Sequence, residues 1–247
     1  MTGPRVDDYL ARINRVPGWF LRTDQLLFPQ LNALQRTAGV GGDLLEIGVY
    51  RGKSAILLGY FAGPGERLVV CDVFDTAGRR QFERRYRRFH ERPPLILHFP
   101  SRDILERAGL ARTFRFMHVD GDHGWEAVRE DLRTVRALLV EGGLVVFDDH
   151  LSALYPGTAA AVWSEVTAGR LIPLCMTPSK LYACLPPGPP DWAAGLAAWA
   201  RAQPDLEVAP DSVADRQFLR IRRAQRPSGL RKVYWWARRL ARRAPWP

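Results

Sequence analysis

Apolar positions in the first two thirds of the chain fall into short runs that alternate with segments of helical spacing. The runs that predict strands cover residues 43–48, 67–72, 95–99, 114–120 and 143–148. Several of them are apolar at nearly every position, which is typical of strands buried on both faces. The alternation predicts an α/β fold, in which a parallel sheet is covered by helices.

Helical spacing between those runs predicts the covering helices. In the segment 125–140, Val128, Leu132, Val135 and Leu139 would share one helix face. The glycine pair that follows ends this helix, as a left-handed cap would. Further helices are predicted at residues 53–61, 76–88 and 158–168, and residues 4–38 predict helices ahead of the sheet.

The pattern changes after residue 149. Two apolar runs, at 171–176 and 180–186, are separated by only three residues, and strands joined by so short a connection are antiparallel. We therefore predict a doubly wound, Rossmann-like parallel sheet that ends in an antiparallel hairpin. The predicted units are N-terminal helices at 1–40, a central domain at 41–186 and a C-terminal extension at 187–247, which begins in a proline-rich linker.

The C-terminal extension predicts a helix at 191–202, a strand near 218–221 and a basic, tryptophan-bearing helix at 230–243. The last helix is amphipathic. It would dock on its own domain, join copies of the chain into a homo-oligomer, or make weak contact with an anionic membrane surface.

Charge and cysteine content narrow the setting of the protein. The formal net charge of +10 comes mainly from arginines, concentrated at 79–92 and 216–243. Such runs form solvated helix faces more often than binding sites, so no nucleic-acid partner is expected. Three scattered cysteines without a C-x-x-C pair favour a reducing compartment, and the first 19 residues predict neither a signal peptide nor a membrane span. We expect a cytoplasmic protein.

A glycine-bearing turn after the first strand is where a cofactor would approach the backbone. The sequence Gly52-Lys53-Ser54 supplies the end of a phosphate-binding P-loop, but Ile47 stands where its first glycine belongs. A dinucleotide site would need a third glycine beside Gly48 and Gly52. Both nucleotide readings therefore remain as weaker alternatives.

The pattern that remains is Glu46-x-Gly48-x-x-x-Gly52, with Asp72 ending the next strand. It resembles the motif with which class I methyltransferases bind S-adenosylmethionine (SAM). The resemblance implies that Glu46, Gly48 and Gly52 line the methionine end of SAM and that Asp72 accepts hydrogen bonds from its ribose. The other cofactor contacts that it implies are Tyr50, Ser54, Asp120 and, near adenine, Ser101. Ser101 has an alternative interpretation as a helix N-cap.

Carboxylates also end the fourth and fifth predicted strands, at Asp120 and at Asp148-Asp149. In the methyltransferase strand order these strands are neighbours, about 4.8 Å apart, and ligands bind at the carboxyl ends of such strands. Three uncompensated carboxylates so close would raise one another's pKa values, and a divalent cation resolves that conflict. Oxygen ligands favour Mg²⁺, Mn²⁺ or Ca²⁺.

The segments D-G-D-H and F-D-D, with the helix W-E-A-V-R-E-D-L, resemble bacterial metal-dependent O-methyltransferases that act on sugars and other natural products, such as the macrocin and noviose O-methyltransferases. The resemblance covers residues 40–185. It implies that Asp120, Asp148 and Asp149 bind the metal, Mg²⁺ or another divalent cation, and that Asp122 is the general base. His123 competes for the base, because an imidazole titrates near neutrality, and His150 is a further candidate ligand or substrate contact.

The function implied is therefore metal-dependent O-methylation of a hydroxylated small molecule. Two other functions stay open. The same methyl donor would serve nitrogen or carbon acceptors without a metal, with the acidic cluster holding an amine by charge. A SAM- or nucleotide-binding module without turnover would instead act through a partner bound by its basic C-terminal segment.

Overall fold

A nine-stranded sheet runs through the part of the chain that the structure, a computed structural model, describes: residues 5–188 and 190–224. The strands are β1 (Asp43–Ile47), β2 (Leu68–Cys71), β3 (Leu95–Leu97), β4 (Phe114–Val119), β5 (Leu139–Phe147), β6 (Ile172–Met176), β7 (Leu181–Cys184), β8 (Leu206–Val213) and β9 (Arg216–Arg223). Their order across the sheet is β3-β2-β1-β4-β5-β7-β6-β9-β8.

Strands β1 to β5 are parallel to one another, whereas β7 is antiparallel to both β5 and β6. The predicted doubly wound sheet that ends in an antiparallel hairpin is thus confirmed. The order also makes β4 the common neighbour of β1 and β5. Whatever follows these three strands therefore meets at one edge of the sheet.

The helices are α1 (Val6–Leu10), α2 (Arg22–Thr37), α3 (Lys53–Gly59), α4 (Thr76–Tyr86), α5 (Ile104–Arg107), α6 (Trp125–Leu138), α7 (Pro156–Thr167) and α8 (Ala193–Ala202). Short 3₁₀ turns lie at Ile13–Arg15 and Ser101–Asp103. None of the helices within the described residues is long and apolar enough to cross a membrane.

Alternate side chains of the buried strands supply two cores, one on each face of the sheet. Along β1, Leu44 packs on the face covered by α2, α3 and α8, and Leu45 and Ile47 pack on the face covered by α5, α6 and α7. This explains why the strand is apolar at successive positions. Glu46 is the only charged residue in β1 besides Asp43 at its start, and it is fully buried among these apolar neighbours.

The structure differs from the sequence prediction at the junction of α6 with β5 and at the end of the sheet. Helix α6 ends at Leu138 and β5 begins at Leu139, because the chain enters the sheet through an irregular pairing with β4 before the glycine pair. Strand β8 was not predicted, since its sequence LEVAPDSV has no apolar run and includes a proline. It is an edge strand, where a proline is tolerated. The predicted strand near 218–221 lies within β9.

The β8–β9 hairpin joins the sheet through pairing of β9 with β6. The described part of the C-terminal extension therefore continues the central sheet. The basic helix predicted at 230–243 lies outside the described residues.

Candidate functional site

The turn after β1 and the turn after β4 touch at the carboxyl edge of the sheet. Gly48 has a φ of 81°, and a Cβ atom built on it would lie 1.8 Å from the carbonyl oxygen of Asp120. Gly52 has a φ of 87° and precedes α3, and a Cβ there would lie 2.5 Å from the ring of Phe82. Both glycines are required by close contacts as well as by backbone conformation.

Asp72 holds the glycine turn in place. Its Oδ2 accepts hydrogen bonds from the backbone N–H groups of Val49 (2.7 Å) and Tyr50 (3.0 Å), and its Oδ1 accepts from Phe74 (2.8 Å). Tyr50 has a positive φ of 49°, and its side chain is exposed. The ribose contact expected of Asp72 stays a prediction, and the structure adds a second role, since Asp72 fixes the backbone that the cofactor would approach.

Glu46 presents an unsatisfied acceptor beneath this turn. Its Oε1 accepts hydrogen bonds from Ser54 Oγ and from His118 Nδ1 (2.8 Å for the latter). Its Oε2 is buried and has no hydrogen-bond partner among the described residues. An unpartnered buried carboxylate oxygen is costly unless a ligand or water completes it. The structure thus pairs two predicted cofactor residues, Glu46 and Ser54, and leaves one oxygen of the first without a partner.

The segment after β3 holds the predicted adenine contact, Ser101, in a short 3₁₀ turn. Neither this turn nor α5 after it has a side-chain cap, so the alternative interpretation of Ser101 as an N-cap is not supported. Helix α6 contacts this turn and carries Asp131, which is fully buried. Asp131 is not among the predicted site residues, although its position in phase with Val128 and Val135 places a carboxylate on an apolar helix face.

Burial raises the pKa of Asp131 to about 7, although an interaction with Ser101 opposes the shift, and the charges of Asp122 and Glu130 add to it. Neither carboxylate oxygen has a hydrogen-bond partner of ordinary geometry within the described residues. The free energy of unfolding should therefore depend on this group between pH 4 and pH 7, where the folded state keeps a proton that the unfolded state has lost.

We expect the wild-type protein to lose stability as the pH rises through that window, by on the order of 2–4 kcal/mol from this carboxyl. Asp131→Asn removes the group, so its stability relative to wild type should be higher at pH 8 than at pH 5. Urea unfolding at the two pH values measures the difference. Glu130→Gln, on the adjacent and more exposed residue, is the control, and an equal pH dependence in both variants would contradict the assignment.

The predicted metal ligands lie at the ends of β4 and β5, where Asp120 N–H donates to Ile47 O (2.7 Å) and Asp148 N–H to Val119 O (2.9 Å). The structure divides the acidic cluster into two groups, each with ligand atoms within 4.8 Å of one another. One group is buried and consists of His118, Asp120 and Asp148, and the other is half-buried and consists of Asp120, His123 and Asp149. Asp120 belongs to both groups.

Lys180 lies in the buried group. Its ammonium forms an ion pair with Asp148 and lies 3.1 Å from His118 Nε2. Burial disfavours the charge of Lys180, but the carboxylates of Asp148, Asp120 and Asp24 raise its pKa above the ordinary value. Burial likewise opposes ionisation of Asp148, and Lys180 with His118 nevertheless lowers its pKa. The pair is therefore charged at neutral pH.

The contacts of Lys180 also fix the tautomer of the neutral His118 ring. An ammonium group can only donate, so His118 Nε2 accepts and its Nδ1–H donates to Glu46. A hydrogen-bonded chain thus runs from Glu46 under the glycine turn to Asp148 at the end of β5. Lys180 is not among the residues predicted from the sequence, although a lone lysine beginning the apolar run 180–186 was a signal.

The half-buried group is more accessible to solvent, with side-chain exposures of 21% for His123 and 36% for Asp149. His123 Nε2 lies 3.2 Å from Asp149 Oδ2, and Asp149 has a positive φ of 52°, a strained conformation that is common at functional sites. Burial and the charge of Asp148 raise the pKa of Asp149. Burial and Asp148 likewise raise the pKa of Asp120 well above its ordinary value. Lys180 lowers the pKa of both carboxylates, but not enough to offset burial and the charge of Asp148.

The remaining candidates lie at the rim or outside the cluster. Asp122 is exposed, and its Oδ1 accepts from the backbone N–H of Gly124 (2.8 Å). His150 is fully buried against Trp163, with ring centroids 5.2 Å apart, and burial lowers its pKa to about 4. Neither candidate metal group in the described part of the chain includes His150.

A cavity of about 400 Å³ adjoins the half-buried group. Its lining combines the candidate base positions with an apolar loop: Asp122, His123, Gly124, Trp125, Leu154, Tyr155, Pro156 and Gly157. The ring of Tyr155 lies 4.4 Å from that of His123, and Leu154 is 81% exposed. An acceptor bound here would meet the polar cluster on one side and apolar side chains on the other.

The parallel sheet with its reversed seventh strand, and the glycine turn that follows β1, define the class I methyltransferase fold. Comparison with known families agrees, because residues 45–150 match the family model described as a methyltransferase domain. Residues 45–150 are therefore similar to a methyltransferase domain. No curated protein matches the chain.

Solved structures of several O-methyltransferases resemble this chain. The O-methyltransferase from Bacillus cereus in complex with SAH is 17% identical, with a TM-score of 0.54 over 73% of this chain and 89% of that one. The O-methyltransferase NovP is 21% identical, with a TM-score of 0.51 over 64% of this chain and 78% of that one. TomG from Streptomyces achromogenes is an O-methyltransferase involved in tomaymycin synthesis, and its structure was solved with SAM. It is 18% identical, with a TM-score of 0.50 over 72% of this chain and 86% of that one. At these identities the likeness establishes the fold.

Proposed function

We propose that this protein transfers the methyl group of SAM to a hydroxyl group of a small molecule, with a divalent cation bound in the cleft. One observation carries the proposal. The glycine turn and the acidic cluster are in contact, because the backbone of Asp120 lies so close to Gly48 that a Cβ atom on Gly48 would overlap its carbonyl oxygen. A methyl donor on one side and a charged acceptor site on the other would therefore share one cleft.

The residues present fit SAM at its methionine end. The buried Glu46 Oε2 has no partner among the described residues, and it lies beside the turn that class I methyltransferases use for this part of the cofactor. It would accept a hydrogen bond from an ammonium group. Asp72 and Ser101 remain the proposed contacts of ribose and adenine.

The residues also fit a divalent cation, with a different ligand set from the one predicted. Asp148 forms an ion pair with Lys180, whereas Asp120 and Asp149 have raised pKa values and form no ion pair with a lysine or arginine of the described residues. With His123 they offer two oxygen ligands and one nitrogen ligand, open to water or substrate on the cleft side. Carboxylates with one imidazole suit Mn²⁺ or Mg²⁺. Such an ion lowers the pKa of a hydroxyl that it binds.

The protein's own groups then have distinct tasks. The glycine turn and Glu46 would hold the donor, and the cavity wall around Tyr155 would orient the acceptor in line with the S–CH₃ bond, which supplies much of the rate. The acceptor oxygen forms a bond to the methyl carbon as the sulfur–carbon bond breaks, and S-adenosylhomocysteine leaves. If His123 binds the ion, the rim carboxylate Asp122 is the group left to take the hydroxyl proton.

The proposal predicts that chelator-treated protein binds SAM but does not transfer its methyl group. Calorimetric titration with SAM after EDTA treatment checks the first part. Release of S-adenosylhomocysteine from a panel of sugars, phenols and amines, before and after addition of Mg²⁺ or Mn²⁺, checks the second. Full activity in the chelator would remove the cation from the mechanism, and methylation of amines alone would favour N-methylation. Binding without turnover on any acceptor would favour a binding module.

A further inference from the structure

Both carboxylate oxygens of Asp148 already have a partner within the protein. Its Oδ1 accepts a hydrogen bond from the backbone N–H of Asp149 (2.8 Å), and its Oδ2 is held by the ammonium of Lys180. Both residues are buried, with side-chain exposures of 9% for Asp148 and 1% for Lys180. The resemblance to metal-dependent O-methyltransferases assigns Asp148 to the metal, and this geometry disagrees with that assignment.

The position of Lys180 is fixed by the hairpin that carries it. Lys180 N–H donates to Thr177 Oγ1 (3.1 Å), and its carbonyl accepts from Thr177 N–H (2.9 Å), which closes a tight turn between β6 and β7. Thr177 Oγ1 in turn donates to Asp24 of α2 (2.8 Å). The turn is thus tied to a helix across the sheet, and the lysine has little freedom to leave Asp148.

The surroundings of the ammonium complete this arrangement. It lies 3.1 Å from His118 Nε2 and 5.4 Å from the ring centroid of Phe20, so it is enclosed by an acceptor and an aromatic face as well as by the carboxylate. A buried ion pair with satisfied partners is expensive to break, because either charge would be left without compensation.

We propose that the ion pair with Lys180 keeps Asp148 from binding the divalent ion, so that the ion is bound by Asp120, His123 and Asp149. The inference rests on the proposed function, because it presumes that the cleft binds an ion. Lys180 acts here as a positioning residue, and it would select for a site with one nitrogen ligand. Such a site favours Mn²⁺ over Mg²⁺ more than a site of three carboxylates would.

Calorimetric titration of the full chain with Mn²⁺ in the presence of SAM tests the proposal. Asp149→Asn should weaken Mn²⁺ binding tenfold or more, whereas the double variant Lys180→Met/Asp148→Asn, which removes both charges of the buried pair, should change it less than threefold. Lys180→Met should tighten Mn²⁺ binding, because Asp148 becomes available as a further ligand. That gain should vanish in the double variant Lys180→Met/Asp148→Asn. Affinity for SAM in EDTA reports whether each variant is folded.

A spectroscopic measurement on the wild-type chain keeps the proposal testable if the Lys180 variants do not fold. Electron spin echo modulation of bound Mn²⁺ should detect one imidazole nitrogen, and His123→Gln should remove that signal. Equal loss of Mn²⁺ affinity in Asp149→Asn and in the charge-neutral double variant Lys180→Met/Asp148→Asn, or a signal that survives in His123→Gln, would overturn the inference. Failure of the wild type to bind Mn²⁺ while it binds SAM would instead overturn the cation in the proposed function, and the inference with it.

Discussion

Replacing Gly48 by alanine is expected to lower the free energy of unfolding by about 3–5 kcal/mol. The cost of a left-handed backbone conformation adds to the cost of a severe steric overlap. The added Cβ would lie 1.8 Å from the carbonyl oxygen and 2.4 Å from the carbonyl carbon of Asp120. Both are backbone atoms, which cannot move aside as the end of a flexible side chain can. The carboxyl ends of β1 and β4 would have to separate. Affinity for SAM should fall by about 100-fold or more, about 2.7 kcal/mol or more in binding free energy.

Gly65→Ala is the matched control for this prediction. Gly65 has nearly the same φ, 82° against 81°, but a Cβ there has nothing within 4 Å. It should therefore cost only the backbone strain, about 1 kcal/mol, and leave SAM affinity unchanged. Urea unfolding and calorimetric titration with SAM measure both quantities. If Gly48→Ala and Gly65→Ala lowered the free energy of unfolding equally, the contact between the turn after β1 and the turn after β4 would not contribute to stability.

The strand ends could be predicted from the sequence because they follow from a simple regularity. Buried strands read as apolar runs, and the polar residues that follow them must lie at one edge of a parallel sheet, which brings Gly48 and Asp120 together. The same logic placed Asp148 near Asp120. It required no knowledge of side-chain contacts, because β1, β4 and β5 are neighbours in the sheet.

The pairing of Asp148 with Lys180 could not be predicted in this way. It depends on the register of the antiparallel pair β5–β7, in which Phe147 lies opposite Leu181 and so brings the two charged residues beside each other. A one-residue shift would send Lys180 to the other face of the sheet. The link from Asp24 to Thr177 joins segments 153 residues apart and depends on how α2 packs. Sequence patterns report periodicity, and they do not report register.

Asp120→Asn is expected to reduce methyl transfer by about 100-fold or more, since a charge aimed at the reacting centre is lost without a change of shape. Asp120 is the one residue shared by the two candidate metal groups found in the described part of the chain. The same substitution should also stabilise the protein at pH 8. Burial and repulsion from Asp148 raise the pKa of Asp120, so its ionised form is unfavourable in the folded state.

Opposite changes in activity and stability distinguish a functional carboxylate from a structural one, for which both would fall. Steady-state kinetics with saturating Mn²⁺ and urea unfolding at pH 8 measure the two effects. Asp215→Asn makes the same chemical change in the exposed turn between β8 and β9, and it should alter neither quantity. Affinity for SAM in EDTA separates the two roles predicted for Asp120. If that affinity falls as far as the rate does, Asp120 acts on the cofactor, and if it holds, the cation site accounts for the loss.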